Sequence, residues 1–428
     1  MNRTGRSPHR REKVAVVGSG VAGLTAAYVL QAEKDVTLFE VQPRLGGHAH
    51  THDLTDTHGQ PVRVDTGFIV HNERTYPQLL RLFRELGVAT QESEMSMSVM
   101  CQGCGLEYAG ARGLSGLIPT VGTVRNLPYL RMLLEVKKFY RNAHALLARP
   151  ADGLDTLGSF LTAGDYTRYF VNHFILPIVS AVWSCGLSTA REYPARYLFT
   201  FLEHHGLLSV SGSPTWRTVT GGTSRYVDMA VKSLTATHVG VGVRAVTRHA
   251  DGVEIRTEDD DFARFDSVVI ATHPDEALGV LTDATAAERE VLGAMKYTAS
   301  STILHTDDSL LPRLPRARAS WNYLKTTCEP ADDKVHLTYD MNRLQRLETS
   351  TPYLVTLNSR ELMNPDSVIA EMNYQHPEYT PESVAAQKRL PELNTARTAF
   401  AGAYHGWGFH EDGCASGVRA AAALGVVW

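Results

Sequence analysis

Six consecutive residues, Gly18-Ser19-Gly20-Val21-Ala22-Gly23, have the types and spacing needed to hold a pyrophosphate. They follow a valine-rich run at 14–17 and precede a stretch of good helix formers at 24–30. A strand, a tight turn and a helix in that order aim unpaired backbone N–H groups and the positive end of the helix at an anion. Gly18 permits the turn, Gly20 lets a phosphate approach the backbone, and Gly23 lets helix and strand pack closely. The next apolar run, 35–40, ends in Glu40, about 20 residues beyond the turn, where a carboxylate accepts both hydroxyls of a ribose. Its charge also repels a 2′-phosphate, which disfavours NADP. These residues predict a bound dinucleotide.

Two other groupings invite metal chemistry without completing it. Cys101 and Cys104 have a spacing suited to a redox dithiol or half a zinc site, but no second Cys-x-x-Cys exists to supply four ligands. They are expected to flank a turn between two strands, with Gly103 and Gly105 shaping it. His48, His50 and His52 alternate along one strand face, and three imidazoles in a row do not close a tetrahedron unaided. No metal is expected.

The elements that position these groups come from 428 residues that are 43% hydrophobic, enough to bury more than one core. A net charge of -4 provides no basic field, which argues against nucleic-acid binding. Five cysteines are too few for a disulfide framework, so a reducing, cytoplasmic compartment is expected. Residues 1–12 read as a disordered leader, and no apolar run is long enough to cross a membrane. From about Tyr76 the pattern turns helical, and a helix-rich insertion is expected to about Trp216. Within it, residues 127–147 mix apolar positions with Arg131, Lys137, Lys138 and Arg141. Such a helix either shows its charges to water or lies on an anionic membrane surface, so a peripheral membrane contact is one of two open readings. Strands are expected at 239–248, 252–257, 266–272, 301–305 and 334–339, and a final strand at 398–402 precedes a last helix opening near His410.

Beyond the second strand stands Arg44-Leu45-Gly46-Gly47-His48, and near the carboxyl end stands His410-Glu411-Asp412-Gly413-Cys414-Ala415-Ser416-Gly417. With the glycine turn, and in this order, they resemble the FAD-binding amine oxidase superfamily over nearly the full chain. The resemblance implies FAD as cofactor. It also implies an α/β architecture: a glutathione-reductase-like FAD-binding Rossmann domain at 13–75, 217–290 and 391–428, intertwined with an α+β substrate domain at 76–216 and 291–390. On that resemblance Gly18, Ser19, Gly20, Val21, Ala22, Gly23, Glu40 and Val41 belong to the cofactor site. Arg44, Gly46 and Gly47 line the phosphates and ribityl chain, and His48 stands where the family usually has a second arginine. Gly67, Phe68 and Ile69 pass the flavin ring, Val243 lies beside the adenine, and Ala271 ends a strand reading Ala-Thr-x-Pro. Gly402, Ala403, Phe409, His410, Glu411 and Asp412 form the carboxyl-terminal part, with Ala403 replacing the usual aspartate and Phe409 the aromatic beside the ring. The last helix then points its positive end at the flavin's pyrimidine oxygen.

Finer motifs, including Ser320-Trp321-Asn322-Tyr323 and Gly408-Phe409-His410-Glu411, resemble a branch often encoded beside cyclopropane-fatty-acid synthases. That branch implies a lipid substrate and a cyclopropane-synthase-like methyltransferase as partner. Flavin is a hydride acceptor, so the protein need only place a C–H bond and shape a pocket; no catalytic side chain is assigned. Trp321, Tyr323, Tyr339 and Trp407 are candidates to line that pocket. Many amine oxidases carry a lysine near the flavin on the strand at 297–302; here Ser300 or Ser301 takes its place and Lys296 is displaced. Three readings remain: a dehydrogenase or desaturase of an unsaturated or methyl-branched acyl lipid, a flavin amine oxidase, and a non-catalytic FAD-binding partner of a lipid methyltransferase.

Overall fold

The computed structural model describes residues 10–110, 112–150, 155–209, 212–329 and 333–428. Most of the expected leader, 1–9, lies outside the described residues. Arg11, at its end, donates to the carbonyls of Gln31, Glu33 and Lys34.

The strand Lys13–Val17 is buried at every position after Lys13, as a parallel strand covered on both faces requires. It is the centre of a five-stranded parallel sheet ordered Ala236–Val239, Asp35–Glu40, Lys13–Val17, Ser267–Ile270, Thr398–Phe400. Side chains alternate across the sheet. Val14 and Val16 pack with the first helix, Val21–Gln31, and the last, His410–Ala423. Ala15 and Val17 pack with a three-stranded antiparallel sheet, Val243–His249, Gly252–Thr257 and Phe262–Phe265. The single strand expected at 239–248 is therefore two. Ala236–Val239 completes the parallel sheet, Gly240 turns the chain at φ +73°, and Val243–His249 opens the antiparallel one.

A second, seven-stranded mixed sheet runs Val368–Pro377, Tyr297–His305, Leu354–Leu357, Leu337–Asp340, Trp321–Lys325, Met97–Cys101, Leu106–Ala109. A helical layer covers it. Its longest helix, Leu127–Leu147, starts where the Asn126 side chain accepts from the Tyr129 N–H, and it buries Tyr129, Met132, Glu135, Phe139 and Ala143 at helical spacing. The π-helical turn Val171–Ile175 precedes Pro177, which has no N–H to give to the carbonyl of His173. The Tyr108 hydroxyl, from the last strand of the sheet, donates to that carbonyl at 2.7 Å and ties helix to sheet.

The first and last helices pack without room for side chains at their contact. A Cβ at Gly413 would lie 2.6 Å from Val21 Cγ1, and one at Gly417 would overlap the carbonyl oxygen of Ala22. Thr25 Oγ1 bonds to Cys414 Sγ at 3.4 Å in the same seam. The two helices run the same way, so their positive ends lie side by side at one end of the parallel sheet.

Candidate cofactor and substrate site

The three glycines of the turn do different work. Gly18 adopts φ +99°, and a Cβ there would come within 2.7 Å of the Ala271 carbonyl oxygen; one at Gly23 would overlap the carbonyl oxygen of Gly18. Those two close the turn. A Cβ on Gly20 would meet nothing within 4 Å, so Gly20 instead keeps a space clear at the start of the first helix. Gly47, at φ +58°, borders that space, since a Cβ there would lie 3.0 Å from Gly20 Cα.

Ser19 and Glu40 lock this turn. The Ser19 N–H and hydroxyl donate to Glu40 Oε2 at 2.9 and 2.5 Å, and the Gln42 N–H donates to Oε1 at 2.9 Å. Ser19 Oγ also accepts from the Gly46 N–H at 3.1 Å. Glu40 thus holds two glycine-bearing segments together and keeps lone pairs on Oε1 for a ribose hydroxyl. Val41 beside it is 58% exposed. The N–H of Val241 donates to the Glu40 carbonyl at 2.8 Å, and Val243, expected beside the adenine, opens the next strand. Among the described residues Arg44 makes a long bond to its neighbour's carbonyl, at 3.5 Å, and no ion pair, leaving its guanidinium charge for an anion.

At the other end of the chain, Phe409 precedes the last helix and its N–H is capped by Asp412 at 2.9 Å. Burial pushes Asp412 up to about 6 and Glu411 up to about 7. Glu411 accepts from the N–H groups of Gln78 and Leu79, both at 3.0 Å, and so caps the helix Pro77–Leu86. Both acids, expected as cofactor contacts, spend these bonds on helix starts. The His410 ring stacks on Phe68 at 3.7 Å and meets the Tyr226 hydroxyl at 3.0 Å, and burial holds its pKa at about 3, so it is neutral. Gly402 donates to Ser416 Oγ at 2.9 Å, and Ala403, in the place of an acid, is partly exposed. A Cβ at Gly67 would overlap the carbonyl oxygen of His48, which accepts from the Phe68 N–H at 2.7 Å; Ile69 is buried behind them.

His48, Tyr297, Tyr339 and His376 have pKa values displaced towards the neutral form mainly by burial, yet each keeps accessible surface. The His48 and His376 rings lie 5.4 Å apart, and His273 stacks on Tyr297 at 4.2 Å. His48 Nε2, His273 Nδ1, His376 Nδ1, Trp321 Nε1 and Trp407 Nε1 are buried polar atoms with no partner among the described residues. Such atoms call for a polar ligand or water. Two adjacent helix starts, a face cleared by Gly20 and Gly47, the Arg44 guanidinium and these orphaned polar atoms fit one extended dinucleotide bearing a polar ring system.

The pocket candidates divide. Trp321 and Tyr339 pack edge to face at 5.2 Å, and Tyr339 bonds to Ser184, whose carbonyl accepts from Ser300 Oγ at 3.5 Å. Trp407 lies next to this group, its carbonyl accepting from Trp183 Nε1 at 3.1 Å. With Phe201, His205, Phe409, Arg74, Glu411 and Asp412 it also borders a cavity of about 330 Å³. Tyr323 is 2% exposed and belongs to the core under the helical layer, not to a pocket wall. Lys296 and Ser301 are exposed, so of the two serines Ser300 is the one that turns inward. Ser184, held at φ +52°, was invisible to sequence reading; a strained non-glycine turn has no sequence signal.

The fold and this arrangement define a dinucleotide-binding flavoprotein. The model of the flavin-containing amine oxidoreductase family matches residues 21–318, more than half the chain, and the chain belongs to that family of FAD-dependent oxidoreductases. Protoporphyrinogen oxidase of Saccharomyces cerevisiae is 42% identical over 60 residues, 13% of this chain and 11% of that protein, so the match spans only a small part of the relative. Cyclohexylamine oxidase from Brevibacterium oxydans superposes with a TM-score of 0.68 at 17% identity, covering 97% of this chain and 98% of its own. The CLA-producing fatty acid isomerase from P. acnes superposes with a TM-score of 0.63 at 17% identity, covering 96% and 98%. At such identities the likeness is one of fold.

Proposed function

We propose that this chain is an FAD-dependent dehydrogenase or desaturase whose substrate is an uncharged acyl chain. The observation that carries the reading is a wall of neutral groups. Trp321, Tyr339, Ser184 and Ser300 are uncharged, and burial keeps His48, His376, His405 and His410 neutral at pH 7. A cationic amine would lose its hydration against this wall, and the nearby carboxylates Glu411 and Asp412, which line the cavity beside Trp407, already accept backbone N–H groups at helix starts. FAD, when bound, supplies the hydride acceptor. The chain's own residues bind and orient: Gly18, Gly20 and Gly23 shape the phosphate site, and the aromatic wall excludes water from an apolar substrate.

Two exposed features favour delivery from a membrane surface. Leu114, Val121, Val124, Leu127 and Leu134 are 79%, 78%, 49%, 74% and 71% exposed along one stretch, which also exposes Arg125, Arg131 and Lys137. Apolar side chains among basic ones match an anionic bilayer interface. Among the described residues no helix is long and apolar enough to cross a membrane. Pairing with a cyclopropane-synthase-like methyltransferase rests on sequence resemblance alone.

The test is anaerobic titration of the purified flavoprotein with an unsaturated fatty acid, a methyl-branched analogue, cyclohexylamine and putrescine. Bleaching of the visible flavin band by the acyl compounds is expected. Bleaching by an amine alone overturns the substrate class, and no bleaching by any of them overturns the catalytic reading.

A further inference from the structure

Sequence reading denied Cys101 and Cys104 the partners needed for a metal, and the structure corrects that. Cys328 and His173, from two other parts of the chain, join them, and the three Sγ atoms and one imidazole nitrogen all lie within 4.8 Å of one another. We propose that Cys101, Cys104, Cys328 and His173 form a structural zinc site that staples the seven-stranded sheet to the helical layer.

The spacing is that of a tetrahedron. With Zn–S near 2.3 Å, ligand atoms sit about 3.8 Å apart along each edge. Cys101 Sγ and Cys328 Sγ are 3.8 Å apart, and Cys104 Sγ and His173 Nε2 are 3.7 Å apart. A disulfide needs about 2.05 Å, so the two sulfurs are not bonded to each other.

Every ligand is positioned by backbone. Cys101 ends the strand Met97–Cys101, and Gly105, at φ +70°, donates to the Cys101 carbonyl at 2.9 Å to close the hairpin loop carrying Cys104. The Gln102 N–H bonds to the Lys325 carbonyl at 2.8 Å, and a Cβ on Gly103 would come within 2.8 Å of Cys328 N, so this loop presses on the segment after Trp321–Lys325. His173 sits on the π-helical turn, 1% exposed, with its carbonyl held by Tyr108. Its Nδ1 bonds to the Tyr169 carbonyl at 3.1 Å, and since a carbonyl only accepts, the proton is on Nδ1 and the Nε2 lone pair faces the sulfurs.

Binding releases the three thiol protons to water and forms three Zn–S bonds and one Zn–N bond, with no oxidant involved. Zinc with three thiolates and a neutral imidazole carries one net negative charge, and buried Lys325, in register with Cys101, brings the compensating cation. Four protein ligands leave no open position, the mark of a structural and not a catalytic centre.

The experiment uses the full-length, untagged FAD-bound protein. Elemental analysis after gel filtration is expected to find one zinc per chain, and replacement by Co²⁺ to give the d–d and thiolate charge-transfer bands of a tetrahedral site. Cys104→Ser and His173→Gln should lower metal affinity at least about tenfold, while Cys414→Ser, outside the cluster, keeps full occupancy. Chelation should lower the melting temperature of the wild-type protein and leave its flavin spectrum in place. If either variant fails to fold, the cobalt spectrum of the wild type still decides. No bound zinc together with octahedral or absent cobalt bands overturns the proposal, as does an intact mass two hydrogens lighter, which would reveal a disulfide.

Discussion

The turn at 18–23 and the cluster around Cys101 are both small, closely packed sites, yet they are assembled by opposite means. In the turn, three glycines within six residues do the work through the absence of side chains, and the nearest contacts are backbone atoms. In the cluster the chemistry lies in side chains that the backbone brings together, and Cys101 and Cys328 are 227 residues apart in sequence. A site made by backbone is written locally. One made by side chains is written only in the fold.

The largest expected effect is a sharp contrast inside the turn. Gly23→Ala forces a Cβ into the Gly18 carbonyl, and with backbone as the obstacle the cost should be about 3 kcal/mol or more. Soluble, folded protein should be scarce. Gly20→Ala places its methyl in open space, so the apoprotein should melt as wild type does while FAD affinity falls at least about tenfold. Differential scanning calorimetry of the apoproteins and fluorescence titration with FAD separate the two; equal FAD affinity for Gly20→Ala and wild type would mean the cleared space is not the phosphate site.

A smaller effect tests the one side chain on which the backbone site depends. Glu40→Gln replaces an acceptor of three hydrogen bonds by an amide that turns a donor towards some of the same donors. A loss of about 1.5–3 kcal/mol is expected, read both in urea unfolding of the apoprotein and in FAD affinity. A change in affinity with no change in stability would assign Glu40 to the ribose alone.

The smallest effect is spread over both regions. Burial holds His71, His205 and His305 at about 4 and His410 at about 3. The unfolded chain takes up protons below about 6.5 that the native chain refuses, so the stability these groups contribute is present above 6.5 and lost as pH falls. Asp65 and Asp412, pushed up to about 6, and Glu411, to about 7, act the other way: their contribution is present in acid and lost as pH rises through those values. With His50, His376 and His405 depressed in the same way, the histidines outnumber the acids, so the urea midpoint should rise from pH 5 to pH 7. A fall over that interval would mean that the acids dominate.

What the sequence made legible follows the same division. The fold class was legible because strand, turn and helix are each specified within a few residues, and because the family signatures at the two ends name one architecture. The break at Gly240 was missed because an apolar run on both sides looks continuous until one sees that its halves join different sheets. Tyr323 was misread because alternation puts it on the same face as Trp321 but does not say that the helical layer covers one and spares part of the other. Cys328 and His173 carried no signal at all, since neither lies in a recognisable spacing with Cys101 and Cys104.

The glycine seam between the first and last helices also has a consequence for biosynthesis. Val21 and Gly413 meet, yet nearly the whole chain separates them, so the two helix starts come together only after residue 413 has left the ribosome. Contacts of such long sequence separation form slowly, because a long loop must close before they repay it. A site that uses both helix starts is therefore completed late in folding. A cofactor that spans the two helix starts makes its full set of contacts only with a nearly finished protein.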